Sequence, residues 1–173
     1  MTQTPLPFAA SPIAHTEASG VFSTLAARRG YLVGIATTAV EAGICGSGSW
    51  GVVFGYDPDE GTFEIAEDEA FDDAYATARH LVPADRESRL PTESEVRSLL
   101  ISSGDLYEVG PLSIALALEQ LRQSKAAGSP LFRADITDGL LEGYATAGDD
   151  GDYDVVGADA LVQLVCFGEI VYG

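Results

Sequence analysis

The 173-residue sequence predicts an α+β fold in which a small, mainly antiparallel sheet packs against three to five helices. Residues 50–56 alternate between aromatic or valine side chains on one face and glycine or valine on the other. Residues 62–66 alternate too, and the Pro/Asp/Gly turn between the two segments is typical of a β-hairpin. Residues 67–82, 92–103 and 111–127 have helical spacing together with helix-terminal signals. Hydrophobic residues make up 46% of the chain and the mean hydropathy is +0.12, so the chain can build a core and is not a disordered acidic tail.

The N-terminal region is predicted to lie outside the core. Three prolines occur among the first twelve residues, so residues 1–18 are expected to form an extended arm. Residues 19–173 are expected to form a single domain. A first helix is predicted over residues 19–29 and closed by Gly30, followed by a buried strand over 31–38.

The three central helices carry the clearest terminal signals. The acidic start of 67–82 suits the positive end of a helix dipole. Thr92 and Glu95 fit a capping box, and Gly104 fits the stop of the same helix. Pro111 suits the first turn of the next helix, whose apolar first half predicts a central position in the core.

The last third of the chain is less regular. Residues 132–136 alternate as a short strand, and an Asp-rich loop is expected at 148–154. A short buried helix is predicted over 160–167 with Asp159 as its cap, and residues 169–172 suit a final strand.

The charge of the chain is localised. Its 9 basic and 27 acidic residues give 9 − 27 = −18, and two windows without a single base account for almost all of it: 57–73 with nine acids and 135–159 with eight. Such a balance excludes a general nucleic-acid binder that neutralises phosphates, and it disfavours an anionic membrane surface as a partner. Localised acid favours a binding face over adaptation to high salt, which would spread acid generally, although a solvated acidic face and halophily stay open alternatives.

Like charges at i,i+4 within residues 67–73 oppose helix formation by a few tenths of a kcal/mol per pair, about 0.2–0.5, which suggests a compensating partner. The candidate partner-binding residues are Asp57, Asp59, Glu60, Glu64, Glu67, Asp68, Glu69, Asp72, Asp73, Asp149, Asp150, Asp152 and Asp154.

A glycine-rich motif precedes the hairpin. Residues 46–53 fit G-x-G-x-x-G-x-V, which resembles the loop that covers ATP phosphates in protein kinases. That resemblance would imply a V-A-I-K lysine on the next strand, but 63–67 offers glutamate instead. No H-R-D-x-x-x-x-N or D-F-G motif occurs, so the favoured interpretation is a flexible entry to the hairpin.

The Asp-rich loop has the alternating carboxylates of a calcium-binding loop. The candidate metal ligands are Asp150, Asp152, Asp154 and Asp159. Against the EF-hand pattern, Val155 stands where Gly is required and Leu161 where Glu is required, so an Asp-rich turn is the favoured interpretation. The alternative is an enzyme with an unrecognised divalent-metal site, with calcium as its possible cofactor, across 149–159.

Cysteine and histidine patterns offer no recognisable catalytic site. Cys45 and Cys166 do not form a C-x-x-C pair and are interpreted as buried thiols of a reducing compartment. His15 and His80 lack the spacing of a zinc site. No signal peptide is recognisable, so a cytoplasmic location, or one within a virion or other assembly, is expected.

These observations predict a non-enzymatic acidic interaction protein. Its expected partner is a basic or nucleic-acid-binding protein, which it would inhibit by mimicking nucleic acid, or the subunits of a larger viral-type assembly in which it is structural. Direct binding to nucleic acid or membrane is not expected.

Overall fold

The computed structural model describes residues 28–44, 49–81, 89–147 and 154–172, and it confirms the α+β class. The helices of these residues are α1 (Arg29–Thr38, continued by a π-helical segment Ala39–Ile44), α2 (Asp68–Leu81), α3 (Glu93–Ser103), α4 (Pro111–Ala126), α5 (Ala134–Thr146) and α6 (Val155–Phe167). The strands are β1 (Gly51–Asp57), β2 (Thr62–Glu67) and β3 (Tyr107–Val109).

The three strands form one antiparallel sheet in the order β1-β2-β3. Val53 pairs with Ile65, which confirms the predicted hairpin. Phe63 pairs with Val109 of β3, a three-residue strand that was not predicted from the sequence. The hairpin turn needs Gly61 for two reasons. Its φ is +65°, and a Cβ there would lie 2.9 Å from the Cα of Val33 on α1.

Both faces of the sheet are covered. On one face, Phe63, Ile65 and Val109 pack into the larger core, to which α1, α4, α5 and α6 contribute. On the other face, Phe54 and Ala66 pack against α2 and α3 in a second, smaller core. The sheet therefore separates the α2–α3 pair from the other four helices.

The helix signals in the middle of the chain are confirmed. Thr92 and Glu95 form the predicted capping box: the Thr92 N–H donates to Glu95 Oε2 at 2.8 Å, and the Glu95 N–H donates to Thr92 Oγ1 at 3.4 Å. Gly104 ends α3 with a φ of +85°. Pro111 is the first residue of α4, which buries Leu118 fully but leaves Leu116 62% exposed, so its apolar sequence is not buried on all sides.

The strand predicted over 31–38 is wrong, because these residues lie in α1. Burial there recurs in pairs every four residues, at 31–32, 35–36 and 39–40, which is helical spacing rather than strand alternation. Gly30 lies inside this helix and does not close the helix predicted over 19–29. Residues 19–27 and the arm predicted at 1–18 lie outside the described residues.

Three expectations for the last third are also corrected. The predicted strand over 132–136 runs into α5, which starts at Ala134. The final helix begins at Val155, not at 160, and its cap is Asp154, whose Oδ1 accepts from the Gly157 N–H at 2.7 Å. Residues 169–172 are irregular rather than a strand, because their main chain bonds to the Gln163 side chain. Among the described residues, no helix is long and apolar enough to cross a bilayer.

Candidate acidic interaction surface

The carboxylates of the hairpin turn mainly serve the turn. Asp57 Oδ1 accepts from the backbone N–H of Asp59 at 3.0 Å and of Glu60 at 3.1 Å, which stabilises the reversal. Glu60 forms an exposed ion pair with Arg29 at the start of α1. Two of these three candidate residues therefore have structural contacts, and Asp59 is exposed at the tip.

Glu64 is paired with an arginine that lies outside both acidic windows of the sequence. It lies on β2 and pairs with the Arg97 guanidinium of α3 through two hydrogen bonds. These bonds hold the pKa of Glu64 below its usual range, and burial acts in the opposite direction. The pair ties α3 to the sheet, so Glu64 does not offer a free charge.

The acidic side chains in the first half of α2 are not compensated by ion pairs among the described residues. Asp68, Glu69, Asp72 and Asp73 are all exposed, and none forms an ion pair within the part of the chain that the structure describes. Asp68 and Glu69 lie in the first turn, where the helix dipole favours anions. Asp72 and Asp73 follow one turn later and only add repulsion.

Part of this acid borders a groove of about 660 Å³ between α2 and α3. Its carboxylates are Glu67, Glu69, Asp73 and Asp105. Ala70, Ala74 and Leu99 supply apolar lining; Thr77, Ser102 and Ser103 supply hydroxyls. No basic side chain lines it among the described residues. The groove therefore presents negative charge above an apolar floor.

Asp105 is a site residue that sequence reasoning missed. It follows Gly104 at the end of α3, in a stretch where acids and bases balance. Only the packing of α3 against α2 brings it to the groove. Gly104 predicts where α3 ends, but it does not predict that the following residue lies beside α2.

Two of the described acids of the second window form ion pairs, and exposed Glu142 forms none among the described residues. Asp135 pairs with Arg133, and Asp138 pairs with Lys125, the only lysine of the chain. Asp154 serves as the cap of α6. These residues lie on helices that cover the opposite face of the sheet from α2, so the two windows do not share one helix layer.

Asp159 has two structural contacts. Its Oδ1 accepts from the Trp50 indole N–H at 2.8 Å, and its Oδ2 accepts from Gln163 Nε2 at 2.7 Å. Asp149, Asp150 and Asp152 lie outside the described residues, so the calcium-loop hypothesis stays a prediction. Within the described ranges, no group of three His, Cys, Asp or Glu side chains is arranged to hold a metal ion.

Cys166 lies near the C-terminal end of α6 and is partly buried. Burial, helped by the negative charges of Glu67 and Asp159, raises its pKa to about 12. It is therefore protonated near neutral pH and poorly nucleophilic. Cys45 and the glycine-rich motif through Gly48 lie outside the described residues.

Comparison of the chain with protein-family models, with characterised proteins and with solved structures gave no match.

Proposed function

We propose that this protein is a non-enzymatic acidic interaction protein that binds a basic macromolecular partner through α2 and the groove between α2 and α3. The observation that carries the proposal is the uneven compensation of its charge. Ion pairs compensate Glu60, Glu64, Asp135 and Asp138, whereas the exposed acids at the start of α2 form no ion pair among the described residues.

The shape and chemistry of the groove support the same partner class. Lysine and arginine have long apolar stems that favour a floor of alanine and leucine, and charged heads that favour a carboxylate rim. Four carboxylates around one groove would also attract such a partner over distance, because the field of clustered charge accelerates encounter. Inhibition of a nucleic-acid-binding protein and a structural role in an assembly both use this surface.

The test compares two variants of equal net charge. One carries Glu69→Gln, Asp72→Asn and Asp73→Asn on α2, and its control carries Asp135→Asn, Asp138→Asn and Glu142→Gln on α5. The three substitutions in each variant together move the net charge from −18 to −18 + 3 = −15. Immobilised wild-type protein and both variants are incubated at low and high salt with extract of the source cells, and retained proteins are identified, purified and titrated directly.

The proposal predicts a basic protein that binds the wild type and the α5 variant and binds the α2 variant at least about tenfold more weakly, with affinity falling as salt rises. Equal loss in both variants would indicate bulk charge rather than a site. Absence of any basic partner of the wild type at low salt would overturn the proposal.

A further inference from the structure

The segment after α6 is held by one buried side chain. Gly168 ends the helix with a φ of +74°, and the chain then passes across Gln163, which is fully buried. Gln163 Oε1 accepts from the backbone N–H of Val171 at 2.9 Å and of Tyr172 at 2.7 Å, while its Nε2 donates to the Tyr172 carbonyl at 2.8 Å. A single carboxamide thus contacts the main chain as a neighbouring strand would.

An aromatic contact completes the attachment. The Tyr172 ring is parallel to Trp50, with centroids 5.5 Å apart and an interplanar angle of 6°. Asp159 bridges the two groups that receive the segment, because it accepts from both Trp50 and Gln163. Trp50, Asp159 and Gln163 are therefore linked to each other independently of the segment that they hold.

Beyond these contacts, Ile170 packs partly buried against the larger core. The Tyr172 ring also meets Phe167 edge-on, with centroids 6.1 Å apart, and its hydroxyl donates to Glu67 Oε2 at 3.4 Å. Val171 is 54% exposed and Tyr172 38% exposed. Two hollows of about 310 Å³ each border the Tyr172 ring, and Trp50 lines both. If the segment leaves, water can reach the Gln163 amide, so no buried polar group is left without a partner. The exposure of Val171 and Tyr172, the adjacent hollows and the access of water to Gln163 are features of a segment that opens without global unfolding.

We propose that Trp50, Asp159 and Gln163 form a peptide-recognition site, which the segment Glu169–Tyr172 occupies in cis as an exchangeable strap. The ligand class is an extended peptide that offers main-chain N–H and C=O groups to Gln163 and an aromatic ring to Trp50. A partner segment of this kind takes the place of the strap. The inference is independent of the function proposed for the acidic groove.

Hydrogen exchange on the unmodified chain provides the first test. The amides of Val171 and Tyr172 both donate to Gln163, so they report directly on the strap. We expect them to exchange at least about 100-fold faster than the amide of Leu164 in α6, because the strap opens locally. Protection equal to that of Leu164 would overturn the proposal, since the segment would then open only on global unfolding.

Exchange in trans is the second test, and Trp50 is its reporter because it is the only tryptophan. In the full-length Tyr172→Ala variant we expect acrylamide to quench Trp50 more strongly than in the wild type, whereas the exposed-site control Val171→Ala retains the wild-type value. A capped peptide with the sequence of residues 168–173 should restore the shielding in Tyr172→Ala. The same peptide with alanine for tyrosine should not. Unchanged quenching in Tyr172→Ala, or no response to millimolar peptide, would refute exchange.

Discussion

Gly143 on α5 faces a buried ring, which makes Gly143→Ala a sharp test of the packing. A Cβ at this position would lie 2.5 Å from Tyr31 Oη and 2.6 Å from two of its ring carbons. The Tyr31 side chain is only 5% exposed, and its hydroxyl donates to the Leu140 carbonyl at 3.1 Å. The ring therefore has to move by roughly 1 Å to restore ordinary van der Waals contact, and it has little room to do so.

Three contributions set the magnitude, one stabilising and two destabilising. Alanine favours the helix over glycine by about 1 kcal/mol. Overpacking costs about 1–3 kcal/mol, and loss of the buried Tyr31 hydrogen bond adds about 1 kcal/mol. We expect Gly143→Ala to lower the free energy of unfolding by about 1–3 kcal/mol, which corresponds to roughly 2–4 °C in Tm per kcal/mol for a chain of this length.

Urea denaturation followed by circular dichroism measures the effect, and Gly30→Ala is the matched control. Nothing lies within 4 Å of a Cβ at Gly30, which is also helical, so this change should be neutral or stabilise by up to about 1 kcal/mol. In a double-mutant cycle, Tyr31→Leu should relieve Gly143→Ala by at least about 1 kcal/mol. If Gly143→Ala stabilises the protein as much as Gly30→Ala does, the deduced contact between α1 and α5 is wrong.

Three further changes test local features. Thr137 Oγ1 is buried with no hydrogen-bond partner among the described residues, so Thr137→Val should stabilise by about 1 kcal/mol in thermal unfolding; a loss of stability would reveal a hidden partner. Thr92→Ala removes the cap of α3 and should cost about 1 kcal/mol, whereas exposed Ser94→Ala should change little; equal effects would contradict the capping role. Because the pKa of Glu64 is lowered, its pairing with Arg97 stabilises the protein above the unfolded-state pKa of about 4.3, and this stabilisation is lost as pH falls through the folded pKa. Glu64→Gln should therefore flatten this part of the acid unfolding profile. An unchanged profile would refute the assignment.

Local chemistry explains which elements could be predicted. Some features depend only on residues a few positions apart, so they can be recognised from the sequence alone. They are the capping box of Thr92 and Glu95, the Gly104 stop and the glycine-bearing hairpin turn. The residues of α1 were misassigned because β-branched and apolar side chains are common in buried strands as well as in buried helices. Only the four-residue recurrence of burial separates the two.

The helix α5 shows the same limit. The alternation at 132–136 crosses a helix boundary, and the signal of α5 lies further on, where Ile136, Leu140 and Tyr144 recur every four residues. Asp159, predicted as a cap, bonds instead to Trp50, which is 109 residues away in the sequence. A cap is a local event, whereas the partner of a buried carboxylate depends on which elements pack together.

The sequence alone determined the class of the fold, the central helices and hairpin, and the concentration of acid in two windows. The tertiary structure decided which acidic side chains are compensated by ion pairs. Arg29, Arg97, Arg133 and Lys125 pair with carboxylates of those windows, while Asp105 joins Glu67, Glu69 and Asp73 around the groove. The physical reason is that charges interact through space over a few ångströms, and folding sets that separation largely independently of the distance along the chain.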